Sequence, residues 1–223
     1  MLIYKAYNIS GGDFMKVILI NGSPKSAGCT YTALGVVAES LKAEGVEAEI
    51  IHVGTEPIRG CMGCATCART GDGRCVYKDD VVNSVIEKIA DADGLVVGTP
   101  VHYAAASGVI TSLMDRVCYA GGKNLAFKPA AAVVSCRRGG ASAAFDQINK
   151  YFSILNMPIV SSNYWNMVHG NTPEEVLRDE EGVQTMRQLG KNMAWLIKSI
   201  KIAQENGLSK PVAEPKIKTN YIR

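Results

Sequence analysis

Val17-Ile18-Leu19-Ile20, followed by Asn21-Gly22-Ser23-Pro24-Lys25-Ser26-Ala27-Gly28-Cys29-Thr30, is an unbroken apolar run that stops in a polar turn. Consecutive apolar residues without alternation read as a strand buried on both faces, and Asn-Gly-Ser-Pro reads as the turn that ends it. Beyond the turn, Leu34, Val37, Ala38 and Leu41 recur at helical spacing. The segment is therefore strand, loop, helix. A strand apolar on both faces needs helices on both sides of its sheet, and such units repeat to build one.

The alternation continues along the chain. Val46 to Val53 predicts a second strand, Gly94 to Gly98 a third, Ala130 to Ser135 a fourth and Met157 to Val160 a short fifth. Val81, Val82, Val85, Ile86 and Ile89 mark a helix with Asp79 or Asp80 as its cap; Val109, Ile110, Leu113, Met114 and Val117 mark another, and Ala143 to Leu155 a third. Thr172-Pro173-Glu174-Glu175 carries the cap, proline and acid of a helix start, and Met186, Leu189, Met193, Leu196, Ile197 and Ile200 share a face of the last helix. The fold class predicted is α/β, a doubly wound five-stranded parallel sheet in the order 2-1-3-4-5, over residues 15–206. Ligands of such sheets sit beyond the carboxyl ends of the strands, so the loops after strands one, three and four are where a site belongs. Residues 1–14, set apart by Gly11-Gly12, are expected to be a leader, either native or from an upstream start, and 207–223, with Pro211 and Pro215, a tail.

With 223 residues, 47% hydrophobic and 20% charged, the chain can bury a full core as one domain. The balance of 24 Lys+Arg against 21 Asp+Glu leaves a net charge of +3, too small and too evenly spread for a nucleic-acid platform. No apolar run approaches the ~18–20 residues of a membrane span, and the first residues do not read as a secretory signal. Seven cysteines without such a signal point to reduced thiols and a cytoplasmic location.

Two segments carry chemistry. The first is the loop after strand one, whose hydroxyls, glycines and cation at a helix N-terminus suit a phosphate. It lacks both the Gly-Lys-Ser/Thr ending of a Walker loop and the spacing of a dinucleotide fingerprint. The same residues also make an ordinary polar turn with Ser26 or Thr30 as cap. The second is the loop 54–78, unusually long for a compact domain, where Cys61, Cys64, Cys67 and Cys75 give C-x2-C-x2-C-x7-C. Four thiolates satisfy a tetrahedral zinc ion or a [4Fe–4S] cluster, the tight spacing being commoner in iron–sulfur ligation, and redox-labile free thiols are the third reading. Cys29, Cys118 and Cys136 are scattered and read as small apolar residues.

The Gly-Ser-Pro-Lys…Gly-x-Thr loop resembles the flavin-mononucleotide loop of the NAD(P)H-dependent FMN reductases and iron–sulfur flavoproteins, a branch of the flavodoxin-like superfamily. Ala92 to Tyr103, with Gly108 and Leu113-Met114-Asp115-Arg116, looks like that family's third-strand motif, and Ser135 to Gly140 like its third flavin loop. The resemblance runs from Met15 to about Lys198. It implies that Ser23, Lys25, Gly28 and Thr30 hold the FMN phosphate, with Cys29 where the family often has Asn and its backbone N–H still able to serve. It implies that Thr99, Pro100, Val101, His102, Tyr103 and Ala104 pass along the flavin ring, and that Ser135, Arg137, Gly139 and Gly140 close the other side. His102 stands as a candidate proton donor or ring contact, Tyr103 as a stacking residue, and Arg137 or Arg138 as a partner for a nicotinamide phosphate or for charge on the reduced flavin. Tyr164 and Trp165, in the stretch Asn163 to Gly170, either line the substrate side or pin their loop to the core. The cysteine spacing matches the compact motif of the iron–sulfur flavoprotein branch.

The function expected is an FMN-dependent NAD(P)H oxidoreductase passing electrons to a quinone, a flavin or another small acceptor. An iron–sulfur flavoprotein electron carrier fed by ferredoxin-like partners is one alternative, and a thiol-based redox-sensing flavin module another. The resemblance also implies a homodimer or homotetramer. No nucleic-acid or membrane partner is expected.

Overall fold

The structure, a computed structural model, describes residues 14–55, 57–212, 214, 215, 217, 219, 221 and 222. The expected leader 1–14 lies outside the described residues except for the exposed Phe14. In chain order the elements are β1 (Lys16–Asn21), α1 (Cys29–Ala43), β2 (Glu47–His52), α2 (Thr66–Thr70), α3 (Val82–Ala90), β3 (Gly94–His102), β4 (Ala105–Ala106), α4 (Gly108–Gly121), β5 (Ala130–Cys136), α5 (Ala141–Ile154), β6 (Met167–His169), α6 (Pro173–Arg178) and α7 (Glu180–Glu205). A single 3-10 turn, Gly122–Asn124, follows α4.

The sheet runs β2-β1-β3-β5-β6, all parallel, with β4 added antiparallel to β3, so it has six strands rather than five. The doubly wound arrangement follows from side-chain alternation in β1, where every apolar residue is buried whichever way it points. Ile18 and Ile20 pack with Leu95, Val97, Ile110 and Phe152 on the face covered by α3, α4 and α5. Val17 and Leu19 pack with Val96, Leu34, Leu41, Leu189 and Met193 on the face covered by α1 and α7. Gly98 of β3 permits the close approach of α1, since a Cβ there would lie 2.7 Å from Leu34 Cδ1 and 3.0 Å from Thr30 Cγ2.

Three expectations change. The fifth parallel strand is Met167–His169, not Met157 to Val160. The earlier segment is apolar and buried at both ends, but it makes one isolated bridge, Ala130 with Ile159, and Pro158 has no N–H to extend a ladder. The third strand runs on to His102, so Thr99 to His102 is strand and not loop. Tyr103 and Ala104, with φ of 49° and 59°, then form a two-residue hairpin loop between the paired His102 and Ala105, both in the left-handed region that a type I′ turn demands. The loop 54–78 contains the short helix α2. The third helix has Val81, not Asp79 or Asp80, at its cap position and no side-chain cap, although Asp80 Oδ1 accepts the Val82 N–H at 3.2 Å just before it. Thr172 caps α6 by accepting the Glu175 N–H at 3.3 Å. Among the described residues, no helix is long and apolar enough to cross a membrane.

Candidate functional site

The loop between β1 and α1 is held from three sides. Internally, Asn21 is fully buried; its Oδ1 accepts the Ser23 N–H at 3.1 Å and its Nδ2 donates to the Ser26 carbonyl at 3.1 Å. The Lys25 N–H donates to Ser23 Oγ at 3.1 Å. From the second strand's side, His52 Nε2 donates to the Ser23 carbonyl at 2.8 Å. Gly54 lies so close that a Cβ on it would stand 1.9 Å from that same carbonyl oxygen. From α4's side, Ser107 Oγ donates to the Gly22 carbonyl at 2.9 Å. A loop tied this way presents fixed groups and spends little entropy on ordering when a ligand arrives.

What it presents is electropositive. α1 starts at Cys29 with no side-chain cap and no acidic residue in its first turn. Its first-turn N–H groups thus lack a side-chain acceptor, and the positive end of the helix faces outward beside Lys25. Thr30 Oγ1 and Ser135 Oγ, both buried, lie 2.8 Å apart and join this loop to the end of β5. Thr99 is buried, and its Oγ1 accepts the Ser107 N–H at 2.9 Å. Burial pushes the Cys29 thiol above its ordinary value, so it stands as a neutral donor, 3.6 Å from the Gly170 carbonyl.

Ser23, Lys25, Cys29, Thr30, Pro100, Val101, His102, Ser135 and Arg137 line one cleft of about 190 Å³ together with Pro24, Cys136, Gly170 and Asn171. The three loops named from the sequence thus meet at one place, at the carboxyl ends of β1, β3 and β5. Gly28 precedes α1 at its cap position. Tyr103 and Ala104 form the hairpin turn beside the cleft, Tyr103 fully exposed. Gly140, at φ 91°, packs against that turn; a Cβ would lie 2.7 Å from Ala104 Cα. Gly139 and Arg138 are exposed beyond Arg137.

Tyr164 and Trp165 lie apart from both the core and the cleft of their own chain. Both are 56% exposed, so Trp165 does not pin its loop to the core, and neither lines the cleft. Their rings instead stand against each other, 5.1 Å apart. The holding roles of Asn21, His52, Gly54 and Ser107, and the place of Asn171 in the cleft wall, are not among the sequence expectations; Gly170 appears there only as the end of the stretch Asn163 to Gly170. Gly170 and Asn171 follow β6, so placing the fifth strand correctly would have found them. His52 and Ser107 carry no sequence signal, because they act only through contacts far along the chain.

The cysteine loop forms a second site. Cys61, Cys64, Cys67 and Cys75 all line a cavity of about 270 Å³, closed by Met62, Tyr77, Arg116 and Tyr119. Arg116 of α4 is 1% exposed and pairs with Asp80. Its Nε donates to Cys75 Sγ at 3.2 Å and its Nη1 to the Arg59 carbonyl at 3.1 Å. Burial works against that charge, and Asp80 and the Cys75 sulfur outweigh it, so the guanidinium is held above its ordinary value. Tyr77 lies between two guanidinium groups, 4.8 Å from Arg59 and 5.5 Å from Arg116, and its hydroxyl donates to Met62 Sδ at 2.9 Å. Hydrogen bonds from the Thr66 N–H and hydroxyl lower the Cys64 thiol below its ordinary value.

Among the described residues, no three His, Cys, Asp or Glu side chains converge closely enough to hold one metal ion. The four thiols surround a common space instead. Four cysteines on one cavity supply the donor count that a [4Fe–4S] cluster or a zinc ion takes.

Comparisons with known proteins bear on the family and the fold. An iron–sulfur flavoprotein of Methanocaldococcus jannaschii is 32% identical over 198 residues, 84% of this chain and 100% of that protein. An iron–sulfur flavoprotein of Archaeoglobus fulgidus is 32% identical over 206 residues, 86% of this chain and 100% of that protein. Among solved structures, a flavodoxin from the domain Archaea superposes with a TM-score of 0.56 at 15% identity, covering 82% of this chain and 99% of that one. The fold is thus of the flavodoxin-like α/β kind. The family model described as NADPH-dependent FMN reductase matches residues 15–172, a span that takes in β1 to β6, every loop of the cleft and the whole cysteine loop. The chain belongs to the NADPH-dependent FMN reductase family.

Proposed function

We propose that the cleft holds FMN, that the cysteine cavity holds a [4Fe–4S] cluster, and that the protein is an NAD(P)H oxidoreductase delivering electrons to a small acceptor such as a quinone or a flavin. The observation that carries the reading is the meeting of three loops over the uncapped N-terminus of α1. The donors there fit a phosphate dianion: the α1 N–H groups, Lys25, and the hydroxyls of Ser23 and Thr30. The cleft, about 190 Å³, is below the ~300–1,000 Å³ that usually encloses a drug-sized ligand. It would accordingly hold the phosphate and ribityl end, with Arg137 at its wall and the Tyr103 turn beside it as candidate neighbours of the ring. Bound there, FMN would supply the hydride and electron chemistry. The chain's part is to anchor the phosphate, to offer backbone along Pro100 to Ala104 to one edge of the ring, and to keep a cation, Arg137, beside it.

A second reading, the iron–sulfur electron carrier, is favoured by the four cysteines lining one cavity and by the printed names of the relatives. The two differ in the donor. Anaerobic rapid mixing with NADPH, with NADH and with reduced ferredoxin separates them. Fast bleaching of the flavin by a nicotinamide supports the oxidoreductase; bleaching by reduced ferredoxin alone supports the carrier.

A further inference from the structure

Among the described residues, Arg116 is the only charged residue that is fully buried, at 1% exposure. A buried ion pair is not retained for stability alone, since a packed apolar pair of similar volume commonly does as well or better. Its surroundings suggest another use. The guanidinium fork is fixed by Asp80, by the Arg59 carbonyl at 3.1 Å and by the Tyr77 carbonyl at 3.4 Å, and its face lies 5.5 Å from the Tyr77 ring. With these contacts made, Nε–H and one Nη2–H remain, and Nε–H points at Cys75 Sγ from 3.2 Å. A planar, rigid fork aims that donor in a way a flexible ammonium would not.

We propose that Arg116 is a positioning residue of the iron–sulfur site, holding the Cys75 sulfur toward the cavity and, through Nε–H, raising the reduction potential of the cluster bound there. This rests on the cluster reading given above. Reduction adds one electron and makes or breaks no bond; the added negative charge falls partly on the thiolate sulfurs. A fixed N–H donor therefore stabilises the reduced form more than the oxidised one, and hydrogen bonds to the sulfurs are among the terms that set cluster potentials. Asp80 offsets much of the net charge, so the directed hydrogen bond carries the effect, not a free positive field. Through Arg116, Cys75 is tied to α4, whose cap residue Ser107 binds the Gly22 carbonyl and Thr99 Oγ1. The tuned ligand is thus one tied to the helix that also braces the cleft.

The test is a mediated redox titration of anaerobically reconstituted protein, with dithionite as reductant and the cluster followed by electron paramagnetic resonance. Arg116→Gln should retain iron and move the cluster midpoint to a more negative potential. Arg116→Met combined with Asp80→Leu replaces the buried pair by apolar residues, protects the fold if the single change does not, and should move the midpoint the same way. Asp80→Asn keeps the donor and removes the opposing carboxylate, so the midpoint should rise. Iron-loaded variants with the wild-type midpoint overturn the inference, even if iron binding itself is intact. Wild-type protein that takes up no iron under these conditions overturns both the inference and the cluster reading, which keeps the two failures distinct.

Discussion

Ser23 and Lys25 do different work within the same turn. Ser23 is 6% exposed and its Oγ already accepts the Lys25 N–H, so its own hydroxyl proton is the part free to meet a phosphate oxygen. Lys25 supplies charge at the cleft rim. Replacing both, Ser23→Ala with Lys25→Ala, removes two hydrogen bonds to a charged group at ~1.5–3 kcal/mol each, which weakens FMN binding by about two to four powers of ten. The fold should survive, because Asn21, His52 and Ser107 hold the loop through backbone atoms that neither change touches. Fluorescence titration of the apoprotein with FMN measures this; an unchanged dissociation constant would remove the phosphate from this loop. Cys29 shows how far the residue scale can be read from sequence. Its place in the turn is legible, but its half-burial and its 3.6 Å contact with the Gly170 carbonyl, 141 positions away, are not.

At the scale of elements, legibility follows how local the determining pattern is. The unit from β1 to α1 is plain because the apolar run and the helical spacing lie within one short window. The helix start at Thr172 is plain for the same reason, its cap being a four-residue pattern. The hairpin from β3 to β4 is not, since Tyr103-Ala104 carries none of the Asn-Gly signal that marks such a turn. The fifth strand is also hidden: Met167–His169 is only three residues long and ends in a histidine, whereas the more apolar Met157 to Val160 is held back by Pro158. The unmarked hairpin has an energetic consequence. A non-glycine residue in the left-handed region costs roughly 1–2 kcal/mol, and Ala104 sits at φ 59°. Ala104→Gly relieves that strain at some cost in unfolded-state entropy, for a net gain of about 0.5–1 kcal/mol. A rise of ~1–4 °C in the thermal midpoint of the apoprotein is the expected outcome. A lowered midpoint would mean that the packing of Gly140 on Ala104 outweighs the strain.

The whole molecule places two candidate redox sites on one sheet and joins them by a single helix. Ser107, at the start of α4, ties Gly22 of the loop after β1 and Thr99 of β3, and Arg116, nine residues on, closes the cysteine cavity. Nine residues of helix span about 14 Å, so the helix separates the two sites by little more than two turns. None of the residues lining one cavity lines the other. The sites share a scaffold, therefore, but not ligands, and each should be lost without the other. Cys67→Ala removes one of the four thiols at the cavity from a half-buried position at the edge of the core, a change of one sulfur atom. Anaerobically prepared wild-type protein should hold on the order of 4 iron and 4 acid-labile sulfide per chain, following the Cys₄ rule. The Cys67→Ala protein should lose that iron and the cluster's absorbance near ~400 nm, while its FMN content and its flavin affinity stay at wild-type values. The Ser23→Ala, Lys25→Ala protein should show the reverse, iron retained and flavin lost. Loss of both groups from either variant would show that one site cannot form without the other, and the shared helix would then be a coupling element and not merely a common wall.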